Sequence, residues 1–248
     1  MEKQLAKWIM PVVATTLLLL YWFYTSSNQY IFPETHQIEF TTLVTQPDGI
    51  TCGPTSVTMV LKRYGKDVEL DAVKSKTKTE WFKYGRQPVG MTSPDMIPVA
   101  MKEFGVPARL RYGTVDQLKY FVSTNRPVIV LVRSGQTTWH YVVVVGYTKD
   151  DLTTADPGSG QIEKISLKNF LGAWDFTTDM HGNSTFAECR FCKGSGKVTN
   201  IEAGPLTTCP LCEGKGTSPD VLVGLLQVAE VHPKTMIVPE KSLAPPSK

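Results

Sequence analysis

The 248-residue sequence has little charge imbalance and no run of more than two consecutive basic residues. Its formal net charge at pH 7 is only +3. Domains that bind DNA or RNA usually collect Lys and Arg in one patch, so this pattern argues against a nucleic-acid partner. Cysteine is also scarce: of five residues, four fall in two tight pairs and Cys52 stands alone. An isolated cysteine is either a small buried hydrophobe or a reactive thiol.

Residues 8–24 form an apolar stretch of 17 residues, which is near the lower limit for a helix that crosses a bilayer. Lys3 and Lys7 precede the stretch, and no Lys or Arg follows it until Lys62. The stretch ends in leucines and bulky aromatic residues, which suit a membrane interface better than the cleavage site of a signal peptide. We therefore expect residues 1–24 to be an uncleaved signal anchor, with everything after it in the periplasm or at the cell surface. A cleaved signal peptide is the alternative.

Downstream of this stretch, residues 25–40 are polar and are expected to form a tether. Between 41 and 182 the helical patterns come first and the strand patterns follow, which predicts an α+β domain with helices packed on a mainly antiparallel sheet. The helical patterns cover 52–64, 94–104 and 115–122. The strand patterns cover 127–132, 140–147, 152–156 and 161–165.

The last part of the chain is expected to be less regular. Residues 187–217 are rich in glycine and contain the cysteine pairs, so we expect a small separate ribbon there. Residues 218–231 are expected to return to the catalytic domain, because they include a short apolar segment. The tail from 232 to 248 contains four prolines and is expected to be disordered.

Cys52 lies at the expected start of the first helix, in the sequence Cys52-Gly53-Pro54. The positive end of the helix dipole favours a thiolate there. Pro54 suits the first helical turn, and Gly53 allows a substrate backbone to approach the sulfur. A nucleophilic thiol is one interpretation of this pattern, and a structural cysteine is the other.

Two residues on neighbouring predicted strands are suited to activate this thiol. His140 begins a hydrophobic strand, and Asp156 ends the next strand 16 residues later. They supply a base and a group that orients it. Gln46, six residues before Cys52, is suited to bind the oxyanion together with the Cys52 backbone N–H. An ordinary Asp-Pro-Gly turn also explains Asp156, and His140 has a purely structural alternative.

Taken together, these motifs resemble the papain-like cysteine peptidases, in particular the bacteriocin-processing peptidases that remove double-glycine leaders, and their stand-alone relatives. The residues that carry the resemblance are Gln46, Cys52-Gly53-Pro54, Met59, LKRYG at 61–65, HYVVVVGY at 140–147 and Ala155-Asp156-Pro157. The resemblance covers about residues 40–175. It implies a papain-like fold, with a Cys52 nucleophile, a His140 base and acid, an orienting Asp156 and an oxyanion donor at Gln46.

The same resemblance implies a cysteine peptidase that hydrolyses a peptide or protein substrate. Two features differ from the leader peptidases, which usually have Asp where this chain has Thr51 and are fused to an ATP-driven exporter. No phosphate-binding loop of such an exporter is present in this sequence. Two other functions stay open: an acyl or peptidyl transferase that uses the same thioester, and a peptide-binding module without catalysis.

The paired cysteines are two copies of one eight-residue unit, CxxCxGxG, with 16 residues between the pairs. Two such turns complete a tetrahedral four-thiolate site for one structural Zn²⁺. The unit resembles the zinc-binding repeat of the DnaJ family, which has four copies. Two disulfides are the alternative, because an extracytoplasmic location would permit them. The expected zinc ligands are Cys189, Cys192, Cys209 and Cys212.

Overall fold

An antiparallel sheet of seven strands forms the centre of the fold. The computed structural model describes residues 30–84, 87–135, 138–183 and 232–244, with short pieces at 187–188, 195, 197–198, 207–208 and 217–218. In sheet order the strands are β4 (Ala108–Tyr112), β13 (Thr235–Pro239), β5 (Val128–Arg133), β6 (Trp139–Tyr147), β7 (Asp151–Asp156) and β8 (Gln161–Ser166). The seventh strand, β1 (His36–Gln37), pairs with β6.

Burial follows the order of the strands in this sheet. All six residues of β5 are buried, and in β6 every residue after His140 is buried. Both strands are runs of β-branched residues, which pack well on a sheet that is covered on both faces. The edge strand β8 is exposed at five of its six residues. The most buried strands therefore lie in the middle of the sheet, where β6 carries His140.

Five helices accompany the sheet in the described part of the chain: α1 (Cys52–Arg63), α2 (Leu70–Lys76), α3 (Met96–Glu103), α4 (Val115–Ser123) and α5 (Leu167–Trp174). In α1, every residue from Gly53 to Leu61 is buried, so this helix lies inside the fold. It is followed by Gly65, whose φ of 73° is a conformation that glycine adopts without strain. Helix α4 starts with a capping box between Thr114 and Gln117.

Smaller strand pairs lie outside the main sheet. A hairpin is formed by β2 (Glu80–Tyr84) and β3 (Gln87–Met91). Further along the chain, β9 (Ala187–Glu188) pairs with β12 (Thr217–Ser218), and β10 (Lys197–Val198) pairs with β11 (Thr207–Thr208). These short strands flank the two CxxCxGxG units in the sequence.

The predicted combination of helices and a mainly antiparallel sheet is confirmed. Two boundaries are wrong. The expected tether contains β1, and its last residues Ile38 and Phe40 are buried. The expected disordered tail contains β13, which is inserted between β4 and β5. Its apolar run fills the sheet, and the prolines that suggested disorder stand just before the strand, at its last residue and after it.

Three expectations fall on parts of the chain that the structure does not describe. They are the signal anchor expected at 1–24, the four paired cysteines, and all but the first residue of the return segment expected at 218–231. Among the described residues, no helix combines the length and apolar character needed to span a membrane. The same residues contain no group of three or more His, Cys, Asp or Glu side chains that would hold a metal ion.

Candidate active site

Cys52 is the first residue of α1, and its side chain is half-buried. The helix begins here because the Thr51 carbonyl accepts the N–H of Thr55 at 2.9 Å, the first bond of the helical ladder. A Cβ on Gly53 would lie only 2.7 Å from the Thr92 Cβ, so this close approach requires glycine. The start of α1, and with it the thiol, is therefore held against the segment that begins at Thr92.

His140 and Asp156 meet where β6 and β7 run side by side. Nε2 of His140 lies 2.7 Å from Oδ1 of Asp156, and the two side chains are only 15% and 13% exposed. The pairing of Val143 with Ala155 sets this register, because it places the end of β7 beside the first residues of β6. The structure thus brings together the two residues that the sequence separates by 16 positions.

The turn after β7 holds the Asp156 carboxylate in place. The Gly158 N–H donates to Oδ1 of Asp156 at 2.6 Å, and the Gly160 N–H donates to the Asp156 carbonyl at 2.8 Å. A Cβ on Gly158 would lie 3.6 Å from the His140 ring. The Asp-Pro-Gly sequence is therefore both an ordinary turn and part of the site, and these two interpretations do not exclude each other.

The charges of the site stabilise a protonated His140. Burial alone would lower the pKa of His140, but its hydrogen bonds to Asp156 and Cys52, and their charges, raise it to about 10. Since Nε2 bonds Asp156, the ring nitrogen left for the Cys52 thiol is Nδ1. Burial also raises the pKa of Asp156, but the hydrogen bond and charge of His140 bring it below its usual value. At neutral pH His140 is therefore an imidazolium that interacts with both Cys52 and Asp156.

Gln46 lies in the loop before α1, next to the Asp156 turn. Its backbone N–H donates to the Pro157 carbonyl at 2.8 Å, and its side-chain Nε2 donates to the Asp48 carbonyl at 2.7 Å. Its Oε1 is buried and has no hydrogen-bond partner among the described residues. Among the residues that the structure describes, no hydrogen bond joins Gln46 to Cys52. Gln46 therefore links the loop before Cys52 to the Asp156 turn. One of its two Nε2 hydrogens is already used in the bond to Asp48.

Two residues that the sequence analysis did not single out shape the loop and the helix start. The Asp48 carboxylate accepts the Ile50 N–H at 3.0 Å and pairs with Lys74 at 3.4 Å, which orders the loop between Gln46 and Cys52. The Tyr141 hydroxyl donates to the Thr92 carbonyl at 3.0 Å. The Pro-Asp-Gly turn at 47–49 was a signal for Asp48, because Asp in such turns binds the backbone two residues on.

Residues 35–180 match a family model described as "Peptidase_C39 like family". The lactococcin-G-processing and transport ATP-binding protein of Lactococcus lactis subsp. lactis is 26% identical over 132 residues, which are 53% of this chain and 17% of that protein. The chain therefore spans about a sixth of the length of this curated relative.

Two solved structures are also similar. The peptidase domain of Streptococcus ComA, a bifunctional ABC transporter involved in quorum sensing, is 28% identical, with a TM-score of 0.44 over 52% of this chain and 88% of that domain. A double glycine motif protease from an AMS/PCAT transporter, solved with the leader peptide, is 23% identical, with a TM-score of 0.42 over 56% of this chain and 88% of that one.

The family match covers more than half of the chain and includes Cys52, His140, Asp156 and Gln46. It begins just before β1 and ends at residue 180, so β13 lies beyond it. The chain belongs to the peptidase C39-like family, and it is a cysteine-type peptidase.

Proposed function

We propose that the chain hydrolyses peptide bonds with Cys52 as nucleophile, His140 as general base and acid, and Asp156 as the group that orients His140. The observation that supports this assignment is the 2.7 Å bond between His140 and Asp156, together with the interaction of His140 with the Cys52 thiol. A nucleophile, a base within hydrogen-bond reach and a third group that fixes the base are the parts of a cysteine peptidase site.

In the first half of the reaction, the Cys52 thiolate attacks the carbonyl carbon of the scissile peptide bond. The imidazolium of His140 then donates its Nδ1 proton to the departing amine, and a thioester remains on the sulfur. In the second half, a water molecule gives a proton to His140 and attacks the thioester, which releases the acid and restores the thiolate. Asp156 keeps the ring in place throughout, because its bond to Nε2 leaves Nδ1 directed at the reacting atoms.

We further propose that Gln46 and the Cys52 backbone N–H bind the oxyanion. Nε2 of Gln46 has two hydrogens, and its bond to the Asp48 carbonyl uses one of them. The second hydrogen is the one that would donate to the oxyanion of the tetrahedral intermediate. The backbone bond from Gln46 to Pro157 supports this role, since it fixes the loop beside the Asp156 turn before substrate arrives.

Thiol labelling with iodoacetamide tests the assignment of Cys52 and His140. We expect rapid labelling of Cys52 at neutral pH, a large loss of rate in His140→Ala, and no peptidase activity in Cys52→Ala. His181→Ala is the matched control, because His181 is exposed and its side chain lies outside the site. An unchanged labelling rate in His140→Ala, with the fold intact, would disprove the ion pair and favour a binding module. Transfer of the acyl group to an added amine would instead identify a transferase.

We also propose that residues 8–24 anchor the chain in a membrane, with the peptidase domain outside the cytoplasm. The support is the apolar stretch of 17 residues with Lys3 and Lys7 before it. Protease added to intact spheroplasts should digest the domain, and disruption of the spheroplasts should add no further digestion. Complete protection until the membrane is opened would reverse the proposed orientation.

A single structural Zn²⁺ held by the four paired cysteines is the last part of this proposal. The flanking strands support it: Glu188, just before the first unit, pairs with Thr217, just after the second. Lys197, just after the first unit, pairs with Thr208, just before the second. These pairings join the residues that flank the two units in the sequence. The purified protein should contain one zinc per chain and four thiols that a chelator exposes without reductant, whereas disulfides would require reduction.

A further inference from the structure

Three arginines, Arg109, Arg111 and Arg126, surround a cavity of about 280 Å³ at the β4 edge of the sheet. Phe121, Val238 and Glu240 complete its lining. The lining thus carries three guanidinium groups and one carboxylate, which leaves two positive charges in excess. The cavity lies three strands away from β6, roughly 14 Å at the usual strand spacing, so it is separate from the thiol site.

The register of the sheet assembles this cavity. Arg109 and Arg111 are two residues apart on β4, so both side chains stand on the same face. Val238 of β13 pairs directly with Arg109, and side chains of paired residues share a face. Glu240 follows two residues later and reaches Arg109, with its Oε1 2.8 Å from the Arg109 Nε. Strand β13 therefore supplies the floor of the cavity, and the residue directly after this strand supplies its one acidic group.

Helix α4 places an aromatic ring beside the other two arginines. The Cζ atoms of Arg111 and Arg126 lie 5.7 and 5.6 Å from the centre of the Phe121 ring. A guanidinium stacked on an aromatic ring keeps its N–H groups in its own plane, where they stay available to a ligand. The stacking thus holds two like charges beside one ring.

The three arginines differ in the hydrogen bonds and ion pairs that their side chains make. Arg109 is neutralised by Glu240. Arg126 makes one long side-chain bond, from Nε to the Ser242 Oγ at 3.5 Å. Arg111 has no hydrogen bond or ion pair with any residue in the described part of the chain. The hydrogen bond and charge of Arg109 lower the pKa of Glu240, and the charges of Lys102 and Arg111 lower it further.

We propose that this cavity binds a phosphate group, with Arg111 and Arg126 as its two ligands and Arg109 held in position by Glu240. Phosphate suits the site because two guanidinium forks match its oxygens with paired hydrogen bonds, and its negative charge, up to two for a monoester and one for a diester, offsets the positive excess. The volume leaves room for a small organic group beside the phosphate. Such a ligand is either a soluble phosphate monoester or the phosphodiester headgroup of a lipid or surface polymer.

Calorimetric titration of the full chain in neutral detergent tests this proposal. The probes are inorganic phosphate, glycerol phosphate as a monoester and bis-glycerol phosphate as a diester. We expect binding that weakens with added salt, and a dissociation constant about ten- to a hundred-fold larger in Arg111→Gln/Arg126→Gln, because each lost guanidinium removes charged hydrogen bonds. Stronger binding of the monoester would identify a soluble ligand, and stronger binding of the diester a headgroup.

The matched control is Lys164→Gln/Lys168→Gln, which removes the same two charges from exposed positions on and just after β8. This control should bind the probes like the natural protein. Equal affinity in both double variants would show a general charge effect and overturn the proposal. Absence of binding to the natural protein up to about 10 mM of every probe would overturn it as well.

Discussion

The two sides of the candidate active site are built in different ways. On the helix side, Cys52 is placed by neighbours in the sequence: the Thr51–Thr55 bond starts α1, and every residue from Gly53 to Leu61 is buried. On the sheet side, His140 and Asp156 are placed by strand pairing between β6 and β7. The helix side therefore depends mainly on local interactions, while the sheet side depends on contacts between distant parts of the chain.

The most distant of these contacts is β13, which reaches the sheet only after the cysteine-rich segment. Met236 and Ile237 pair with β5, the strand next to β6, and β13 also binds all of β4. The sheet side thus includes a strand beyond residue 180, where the family match ends. This arrangement makes the C-terminal segment part of the peptidase fold, and not an appendage to it.

The largest predicted effect comes from deletion of residues 232–248, which removes β13. Met236, Ile237 and Val238 are at most 3% exposed, and burial of each such side chain contributes about 1.5–3 kcal/mol. Their loss, together with the ladder bonds to β4 and β5, is comparable with the whole stability of an ordinary domain. We expect a chain that does not fold, as measured by circular dichroism and solubility.

Deletion of residues 245–248 alone is the control for this truncation, because it leaves β13 and Leu243 in place. This shorter deletion should keep the melting temperature and the thiol reactivity. If the chain without β13 still folds and its Cys52 still reacts rapidly, then the sheet side does not need the C-terminal strand, and the contrast between the two sides is wrong.

The same contrast explains how much of the molecule the sequence could predict. The start of α1 carries local signals in Gly53 and Pro54, so its first residue was predicted correctly. Strands β5 to β8 are also strongly patterned, and their residues were placed within one or two positions. Strand β13 was missed because five residues between prolines carry no information about a partner more than a hundred positions away.

Part of the candidate site could not be predicted from the sequence. The approach of His140 and Asp156 was predicted from adjacent strands, and the structure brings them together. The contact of Thr92 with Gly53 had no signal, because it arises only when the segment after β3 packs against α1. For Gln46 the sequence predicted a donor beside the thiol, but it gave no signal for the bond from this side chain to the carbonyl of Asp48.

The second predicted effect concerns the charge pair that joins the two sides. The pKa of His140 is raised from 6.5 to about 10 in the folded chain, so its protonation stabilises the fold. This contribution is complete below pH 6.5 and is lost as the pH rises toward 10. We expect the free energy of unfolding, measured in denaturant, to fall by a few kcal/mol across this window. His140→Gln should show a flatter curve.

Cys52→Ala sharpens this pH experiment, because it removes only the part of the shift that the helix side supplies. The Asp156 contact remains, so the curve should become less steep without becoming flat. Asp156 acts in the opposite pH range: its lowered pKa gives a contribution that is present above about pH 4 and lost on acidification. A natural protein and a His140→Gln variant with the same profile from pH 6 to 10 would contradict the assigned ion pair.

The third predicted effect tests Gln46, whose backbone links the two sides. Gln46→Ala keeps the backbone bond to Pro157, so the loop and the melting temperature should change little. The loss of one oxyanion donor typically lowers turnover about a hundred- to a thousand-fold. We expect kcat to fall by this amount while iodoacetamide labelling of Cys52 keeps its rate. A protein that unfolds, or that keeps its turnover, would remove Gln46 from the proposed mechanism.

The smallest predicted effect concerns a single hydrogen bond between the two sides. The Ser56 hydroxyl of α1 donates to the Tyr141 carbonyl of β6 at 3.3 Å, and both residues are buried. Tyr141 directly follows His140, so this bond ties the strand that carries the base to the helix that carries the thiol. Ser56→Ala removes the bond but adds a better helix former, so we expect a net loss of about 1 kcal/mol in stability.

Thr58→Val is the matched variant for this last test. The Thr58 hydroxyl is equally buried, but it donates to the Pro54 carbonyl within the same helix. Both variants should lower the melting temperature by at most about 4 °C. Only Ser56→Ala should also slow the labelling of Cys52, because only this variant lets β6 shift relative to α1 and weakens the contact between thiol and imidazole. Equal labelling rates in the two variants would show that the register of β6 with β7 alone positions His140, and that the helix side contributes nothing beyond the thiol.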